Sequence, residues 1–283
     1  MPEMRQISVK SIGSALYDCI AHASFKLGKD ELDALEQAHK RETDPAAREI
    51  LSQLLENAEI ACREMRPLCQ DTGLAVVFVD IGQSVALIDG DLTEAINSAV
   101  ARAYGELYLR KSVVRHALDR KNTQDNTPAI IHTRIVPGDK VRIRFAAKGG
   151  GCENMSQLAM MTPSVGRDGV VDFVVKVVRD ALANPCPPII VGVGLGGNFE
   201  TVALAAKEAL LVPLGQAADN DLDAKLEQEL LAKINATGIG PMGLGGCTTA
   251  LAVHVQSRPC HIASLPVAVN LDCHSHRHAE VIL

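Results

Sequence analysis

The sequence contains no tryptophan and few other aromatic residues, with five phenylalanines and three tyrosines among 283 residues. Because 47% of the residues are nevertheless hydrophobic, aliphatic side chains must fill the core. The scarcity of aromatic rings also removes the platforms on which single-stranded nucleic acids stack. Positive charge is in deficit as well, with 28 lysines and arginines against 34 aspartates and glutamates. Binding to a phosphate backbone needs clustered positive charge, so we expect no nucleic-acid partner.

Long hydrophobic runs are also missing. No segment approaches the roughly 18 apolar residues of a membrane-spanning helix. The amino-terminal segment differs from a signal peptide because Lys10, Asp18 and His22 interrupt its apolar residues. We therefore expect no membrane partner and a cytoplasmic location.

The chain has eight cysteines, but no two of them have the CxxC spacing typical of a structural zinc site. Without a secretion signal, such cysteines are more often reduced core thiols, ligands or catalytic groups than disulfides. Three of them lie far apart in turn-like segments: Cys69 in RPLCQDTG, Cys186 in NPCPP, and Cys273 near the carboxyl end. The residues alone allow two interpretations, namely three converging ligands of a metal cluster or three cysteines that only pack. Further ligand candidates are Cys247 and Cys260 and, more weakly, Cys19, Cys62 and Cys152.

The predicted fold class is α/β, with a helical amino-terminal region followed by mixed β-sheets with packed helices. Apolar residues between Ala46 and Ala58 recur at helical spacing after the start signal Thr43-Asp44-Pro45. The length suggests one catalytic domain over 1–283, or two lobes, a helix-rich one at 1–128 and an α/β one at 129–283.

Several strands follow in the sequence pattern. Residues 129–136 and 140–147 flank Pro137-Gly138 and predict a hairpin. The apolar stretch 262–271 contains Pro266, which fits an edge or distorted strand better than a central one.

Two glycine-rich segments are candidate binding elements. Gly192, Gly194 and Gly197 match GxGxxG, but no second strand with an acidic end follows, which argues against a dinucleotide-binding oxidoreductase. These glycines are expected to let the backbone approach a cluster or a substrate. The turn of Lys148, Gly149 and Gly150 can hold a carboxylate or phosphate through successive backbone N–H groups, or can simply be a flexible turn.

The tail contains His274, His276 and His278. We expect it to be a solvated end or an interface rather than a zinc or nickel site.

Taken together, these motifs resemble the α subunit of the iron–sulfur hydro-lyases that include class I fumarases and L-tartrate dehydratases. RPLCQDTG, KGGGCENMS, NPCPPIIVGVGLGG, GIGPMGLGG and CHIASLPVAVNLDC occur in the family's order from the first helices to the last strand. Cys152 stands where many fumarase-like relatives have serine, and tartrate dehydratases are similar in having cysteine there. The following Glu153-Asn154-Met155-Ser156 looks more like the fumarase branch.

The resemblance implies a [4Fe–4S] cluster held by Cys69, Cys186 and Cys273. It also implies a set of residues that approach the substrate. The predicted catalytic residues are Gln70, Asp71 and His261, and the predicted substrate-binding residues are Arg110, Lys148, Gly149 and Gly150.

The family's remaining substrate-binding groups lie in its other subunit, so the resemblance implies a β subunit and an α–α dimer within a heterotetramer. The predicted activity on a small dicarboxylate is the reversible hydration of fumarate to malate. The alternatives are the α subunit of an L-tartrate dehydratase, action on a methylated fumarate, and a non-catalytic iron–sulfur-binding subunit.

Overall fold

The structure is a computed structural model that describes residues 4–283. Helices and mixed sheets alternate along the chain, which confirms the predicted α/β class. The helices are α1 (Val9–Phe25), α2 (Lys29–Arg41), α3 (Pro45–Glu64), α4 (Leu92–Glu106), α5 (Gly150–Glu153), α6 (Gly166–Ala181), α7 (Phe199–Ala209) and α8 (Asp221–Asn235). The strands are β1 (Arg5–Ser8), β2 (Leu74–Gly82), β3 (Val85–Ile88), β4 (Ile130–Val136), β5 (Val141–Lys148), β6 (Gln157–Met161), β7 (Ile189–Gly196), β8 (Ala250–Arg258), β9 (Leu265–Asp272) and β10 (His278–Ile282). No helix within residues 4–283 is both long and apolar enough to cross a membrane.

The chain forms two compact units built from interleaved segments. The first contains residues 4–28, 58–150 and 277–283, and the second contains residues 29–57 and 151–276. The lobes suggested by the sequence, 1–128 and 129–283, stay a prediction.

The first unit contains a four-stranded sheet in the order β10-β5-β2-β4 and a two-stranded parallel sheet of β1 and β3. The predicted strands at 129–136 and 140–147 exist as β4 and β5, but the predicted hairpin is wrong. Strand β2 lies between them, pairing parallel with β4 and antiparallel with β5. Every residue from Ala75 to Asp80 of β2 is buried, whereas β4 is only partly buried. The central position in the sheet therefore removes more apolar surface from water when β2 occupies it than when β4 does.

Helices α1 and α4 pack together in the first unit, and α1 also contacts β5 and β10. The core between them is aliphatic, as the composition predicts, with Ile12, Leu16, Ile96 and Ile143 fully buried. The side chain of Asp91 accepts a hydrogen bond from the Glu94 backbone N–H at 2.8 Å and so caps the start of α4.

The second unit contains a sheet in the order β6-β9-β7-β8. The prediction that 262–271 forms an edge or distorted strand is wrong, because β9 lies between β6 and β7 and pairs with both in continuous register. Pro266 is tolerated there since it is the second residue of the strand and faces Met160 of the short strand β6. Helix α7 packs on β7 and β9, and α8 packs on β8 and α6.

The glycines of GxGxxG serve helix packing rather than the expected approach to a cluster or a substrate. A Cβ atom on Gly192 would overlap the carbonyl oxygen of Ala206, and one on Gly194 would overlap that of Val202. Both carbonyls belong to α7, so the two glycines let this helix lie directly against β7.

We expect Gly194→Ala to lower the free energy of unfolding by about 3 kcal/mol, because the backbone of α7 must move to admit the methyl group. Urea unfolding followed by circular dichroism measures this change. The matched control is Gly105→Ala in α4, where nothing lies within 4 Å of the new Cβ and a gain of about 0.5 kcal/mol is expected. Equal effects at the two positions would contradict the packing argument.

Candidate active site

Two turns of the first unit meet because the strands that carry them pair. RPLCQDTG leads into β2, the Lys148-Gly149-Gly150 turn follows β5, and Leu74 is the register partner of Lys148. Gly73 has a φ of +74°, and a Cβ there would lie 2.8 Å from the Lys148 backbone. Only glycine allows this approach. The structure thus brings the predicted residues Asp71, Lys148, Gly149 and Gly150 together.

Asp71 is the centre of this arrangement. One carboxylate oxygen accepts a hydrogen bond from the Gly73 N–H at 3.0 Å, and the other accepts from the Gly150 N–H at 2.8 Å. The Arg277 guanidinium, which is 5% exposed, donates to the Asp71 carbonyl oxygen. The anion-binding turn predicted at Gly150 therefore already holds an anion of the protein itself.

Arg277 is not among the residues predicted from the sequence, because no local pattern marks it. Its backbone carbonyl accepts from Ala147 N–H at 2.9 Å immediately before β10, so strand pairing rather than any motif brings the guanidinium to Asp71.

The other predicted residues of the first unit lie close by along the chain. Cys69 is half-buried, with its sulfur 3.4 Å from the Gln70 side-chain oxygen, and Gln70 is exposed. The hydroxyl of buried Thr72 donates to the carbonyl oxygen of Arg110 at 2.6 Å, which places residue 110 beside the turn with its side chain exposed. Tyr104 supports the turn from below through hydroxyl donation to the Thr72 carbonyl at 2.7 Å.

The polar segment 111–128 is attached to the same turn by a buried amide. Asn126 donates through Nδ2 to the Gly73 carbonyl at 3.2 Å and accepts from the Ser112 N–H at 2.6 Å. Asn126 is fully buried. The polar, turn-rich sequence around it does not predict this burial.

Cys186 and Cys273 lie at one end of the second unit's sheet. Cys186 precedes β7 and Cys273 follows β9, and these antiparallel strands pair Ile190 with Asp272. A hydrogen bond of 2.9 Å joins the His274 Nδ1 to the Cys186 carbonyl oxygen. Each of these two thiols is half-buried and free of disulfides.

The loop around Cys186 is rigid. Pro185 and Pro187 flank it, its own φ is +54°, and its N–H donates to the Ala183 carbonyl at 2.9 Å. This geometry fixes the backbone that carries the Cys186 sulfur.

A third thiol joins this end of the sheet. The sulfurs of Cys152 and Cys273 and a carboxylate oxygen of Asp272 all lie within 4.8 Å of one another, and among the described residues this group does not include Cys186. Cys152 is buried, and its sulfur lies 3.4 Å from the Pro185 carbonyl. A residue that the sequence marks only as a weak ligand candidate is therefore adjacent to a predicted cluster ligand.

A polar network attaches the Cys152 segment to β9. Lys207 donates to both carboxylate oxygens of Glu153, at 2.7 and 2.9 Å. Asn270 donates to Glu153 at 3.0 Å and to the Ser156 hydroxyl at 2.8 Å. Since Asn270 lies on β9, this network fixes the position of α5 relative to the strand that Cys273 follows.

His261 lies elsewhere in the second unit. It is exposed in the turn before β9, whereas Cys273 follows the end of that strand. A strand of eight residues spans about 26 Å. Within one chain, the structure therefore does not bring His261 to the Cys273 end of the sheet.

The expectation of a solvated histidine tail is wrong for His276. This residue is 2% exposed, and its Nδ1 lies 2.8 Å from an Asp272 carboxylate oxygen. Burial lowers the pKa of His276, but the hydrogen bond and the charge of Asp272 outweigh burial and raise it. Nearby, burial raises the pKa of Glu31 to about 7 against the opposing charge of His276.

His254 shows the opposite shift. It is 3% exposed, and neither ring nitrogen has a hydrogen-bond partner among the described residues. Burial and then the charge of His276 lower the pKa of His254 to about 4, while Asp30 opposes them. Glu227 lies 3.9 Å from its Nδ1.

This shift predicts a pH dependence of stability. Between pH 6.5 and about 4 an unfolded His254 is protonated and the folded one is not, so stability falls as the pH falls through this range. The expected loss is about 3 kcal/mol. Urea unfolding of wild type and His254→Leu across the range should show a smaller slope in the variant, and His22→Gln on the exposed face of α1 should keep the wild-type slope. Identical slopes for wild type and His254→Leu would contradict the assignment.

The comparisons with known proteins agree over nearly the whole chain. Residues 14–282 match the family model described as Fumarate hydratase (Fumerase). A protein of Methanocaldococcus jannaschii named putative L(+)-tartrate dehydratase subunit alpha is 39% identical over 274 residues, covering 95% of this chain and 96% of that protein. The L(+)-tartrate dehydratase subunit alpha of Escherichia coli O157:H7 is 32% identical over 283 residues, covering 99% of this chain and 93% of that protein.

The α/β fold and the match over residues 14–282 define the class of this chain as a hydro-lyase, an enzyme that adds or removes water. The chain belongs to the fumarate hydratase (Fumerase) family.

Proposed function

We propose that this chain is the α subunit of a heteromeric hydro-lyase that dehydrates L(+)-tartrate or a closely similar hydroxy-dicarboxylate. The observation that carries the proposal is its similarity, over at least 95% of its length, to two proteins named as L(+)-tartrate dehydratase α subunits. Fumarate hydration, the activity predicted from the sequence, is the second candidate. Its support is the family description, Fumarate hydratase (Fumerase). Family membership argues against a non-catalytic subunit.

The proposed cofactor is a [4Fe–4S] cluster held by Cys69, Cys186 and Cys273. The donors present fit such a group, since thiolates are the usual ligands of iron–sulfur clusters and all three thiols are half-buried and outside disulfides. The rigid loop of Cys186 and the hydrogen bond between His274 and the Cys186 carbonyl further support a site at this end of the sheet. When bound, the cluster would supply a Lewis acid for the substrate.

The chain's own residues would bind and orient the dicarboxylate. The exposed guanidinium of Arg110 would pair with a carboxylate through a charged fork, and the exposed Gln70 amide would donate a hydrogen bond. Lys148 and Gly149 would line the same turn. The Gly150 N–H already donates to the Asp71 carboxylate, so it would bind substrate only if it donated to both acceptors. The main role proposed for Asp71 is therefore to fix the position of this turn.

Partners are part of the proposal. The names of the relatives support a β subunit, which would supply the rest of the substrate site. His261 lies at the far end of β9 from Cys273, so its proposed catalytic role would be exercised at the site of a second copy of the chain. That arrangement agrees with the predicted α–α dimer within a heterotetramer. The cytoplasmic location likewise stays a prediction.

The test is an anaerobic assay of the chain assembled with its β subunit. L(+)-tartrate, fumarate, malate and methylated fumarate are compared by kcat/KM, with an iron and sulfide count on the same sample. A preference for L(+)-tartrate is expected. A preference for fumarate and malate would select the second candidate, and no turnover of any of these acids would reject the proposed substrate class.

A further inference from the structure

We propose that Cys152, Asp272 and Cys273 form a mononuclear binding site for a thiophilic divalent cation such as Zn²⁺ or Fe²⁺ in the cluster-free chain. Two sulfurs and one carboxylate oxygen lie within 4.8 Å of one another at the end of β9. Its competition with the cluster rests on the proposed function, because the two sites share Cys273.

The donor set suits such an ion. Thiolates with a carboxylate match borderline-soft cations, whereas Mg²⁺ and Ca²⁺ prefer oxygen alone. Bond lengths of about 2.3 Å to sulfur and 2.1 Å to oxygen place tetrahedral ligands roughly 3.5 to 3.8 Å apart. Side-chain movements of about 1 Å would therefore close the site around an ion.

The backbone around the donors is already fixed. Asp272 is register partner to Ile190 within the sheet, which also anchors the adjacent Cys273. On the other side, the Ser156 hydroxyl donates to the Cys152 carbonyl at 3.1 Å and accepts from Leu271 N–H at 3.1 Å. The site would need little backbone rearrangement to bind, which lowers the entropic cost of binding.

Asp272 has a hydrogen-bond partner of the kind that commonly supports a metal ligand. Asp272 is 7% exposed, and its carboxylate is hydrogen-bonded to His276 at 2.8 Å. Ligating carboxylates are commonly held by such partners, which fix their orientation. On binding an ion, the Cys152 sulfur would give up its weak contact with the Pro185 carbonyl at 3.4 Å.

The sequence hides this site because its ligands lack the close spacing of zinc motifs. Only Asp272 and Cys273 are neighbours, and Cys152 arrives from a different turn. In a cluster-free chain the ion would occupy Cys273, which is also a proposed cluster ligand. Bound Zn²⁺ would therefore inhibit reassembly of the cluster.

The test is an anaerobic titration of the full chain, freed of iron by chelation, with Co²⁺ as a spectroscopic substitute for Zn²⁺. One Co²⁺ per chain should bind with a thiolate-to-cobalt charge-transfer band. Cys152→Ser and Asp272→Asn should each raise the Kd at least about tenfold. Cys186→Ser and the exposed Cys62→Ser should leave the Kd unchanged. Circular dichroism and thermal unfolding check that each variant is folded. If Cys152→Ser does not fold, Asp272→Asn alone tests the site.

Cluster uptake is measured separately, by iron and sulfide counts after anaerobic reconstitution. Cys152→Ser should retain the cluster and Cys186→Ser should lose it, the reverse of their effects on Co²⁺. Zn²⁺ added first should reduce cluster uptake in wild type more than in Cys152→Ser.

Several outcomes would overturn the site: no thiolate band, a Kd insensitive to both Cys152→Ser and Asp272→Asn, or a weakening by Cys186→Ser as large as that by Cys152→Ser. A wild-type chain that binds Co²⁺ as described but takes up no cluster would support the site and reject the proposed cofactor.

Discussion

Cys186→Ser is expected to abolish the hydro-lyase activity of the assembled enzyme. Serine fits the rigid loop between Pro185 and Pro187 but replaces a thiolate by a much weaker ligand for iron. Loss of the proposed cluster, a Lewis acid worth several kcal/mol, corresponds to a decrease in kcat of at least about 1,000-fold. The measurements are kcat with L(+)-tartrate and the iron and sulfide content of the same anaerobic sample.

The control for this prediction is Cys62→Ser, an exposed cysteine of α3 that lies outside the proposed ligand set. It should keep both activity and iron. Retention of a full cluster and full activity in Cys186→Ser would remove Cys186 from the site. Because the loop is already fixed by the Ala183 hydrogen bond, the far-ultraviolet circular dichroism of the variant should match wild type.

Asp71→Ala is expected to reduce both stability and activity. The substitution leaves the N–H groups of Gly73 and Gly150 without their carboxylate acceptor. Two hydrogen bonds to a charged group correspond to a loss of about 3 kcal/mol in the free energy of unfolding. Displacement of the turn that carries Lys148 and Gly149 should lower kcat/KM by at least about 100-fold.

Asp71→Asn distinguishes two roles of Asp71, namely fixing the turn and transferring a proton. The amide keeps an oxygen acceptor for one backbone N–H, so the stability loss should be smaller than in Asp71→Ala. If Asp71 acts only by fixing the turn, Asp71→Asn should restore part of kcat/KM without changing the shape of the pH–rate profile. The control Asp33→Ala removes a half-exposed carboxylate of α2 and should leave stability within about 0.5 kcal/mol of wild type. Wild-type stability in Asp71→Ala would contradict the structural role.

Local features of the fold were predictable because they depend on residues a few positions apart. The apolar spacing of α3 and the Asp91 cap of α4 are of this kind, and both are present. The turns around Cys69 and Lys148 were predictable for the same reason, since glycines and polar residues mark them directly. The roles of the site residues remain predictions.

Pairing between distant segments was not predictable in the same way. The sequence marks β4 and β5 as strands but does not say that β2 lies between them. Likewise, GxGxxG identifies a close backbone approach, while only the structure shows that α7 is the approaching element.

The chemical groups of this protein can be read from its residues: thiols without zinc-type spacing, a carboxylate before a glycine turn, and an aliphatic core. Which of these groups meet is known from the fold, which places Arg277 at the Asp71 carbonyl and Cys152 beside Cys273. Such long-range contacts follow from strand order and register. They depend on burial of the whole sheet rather than on any neighbouring residues.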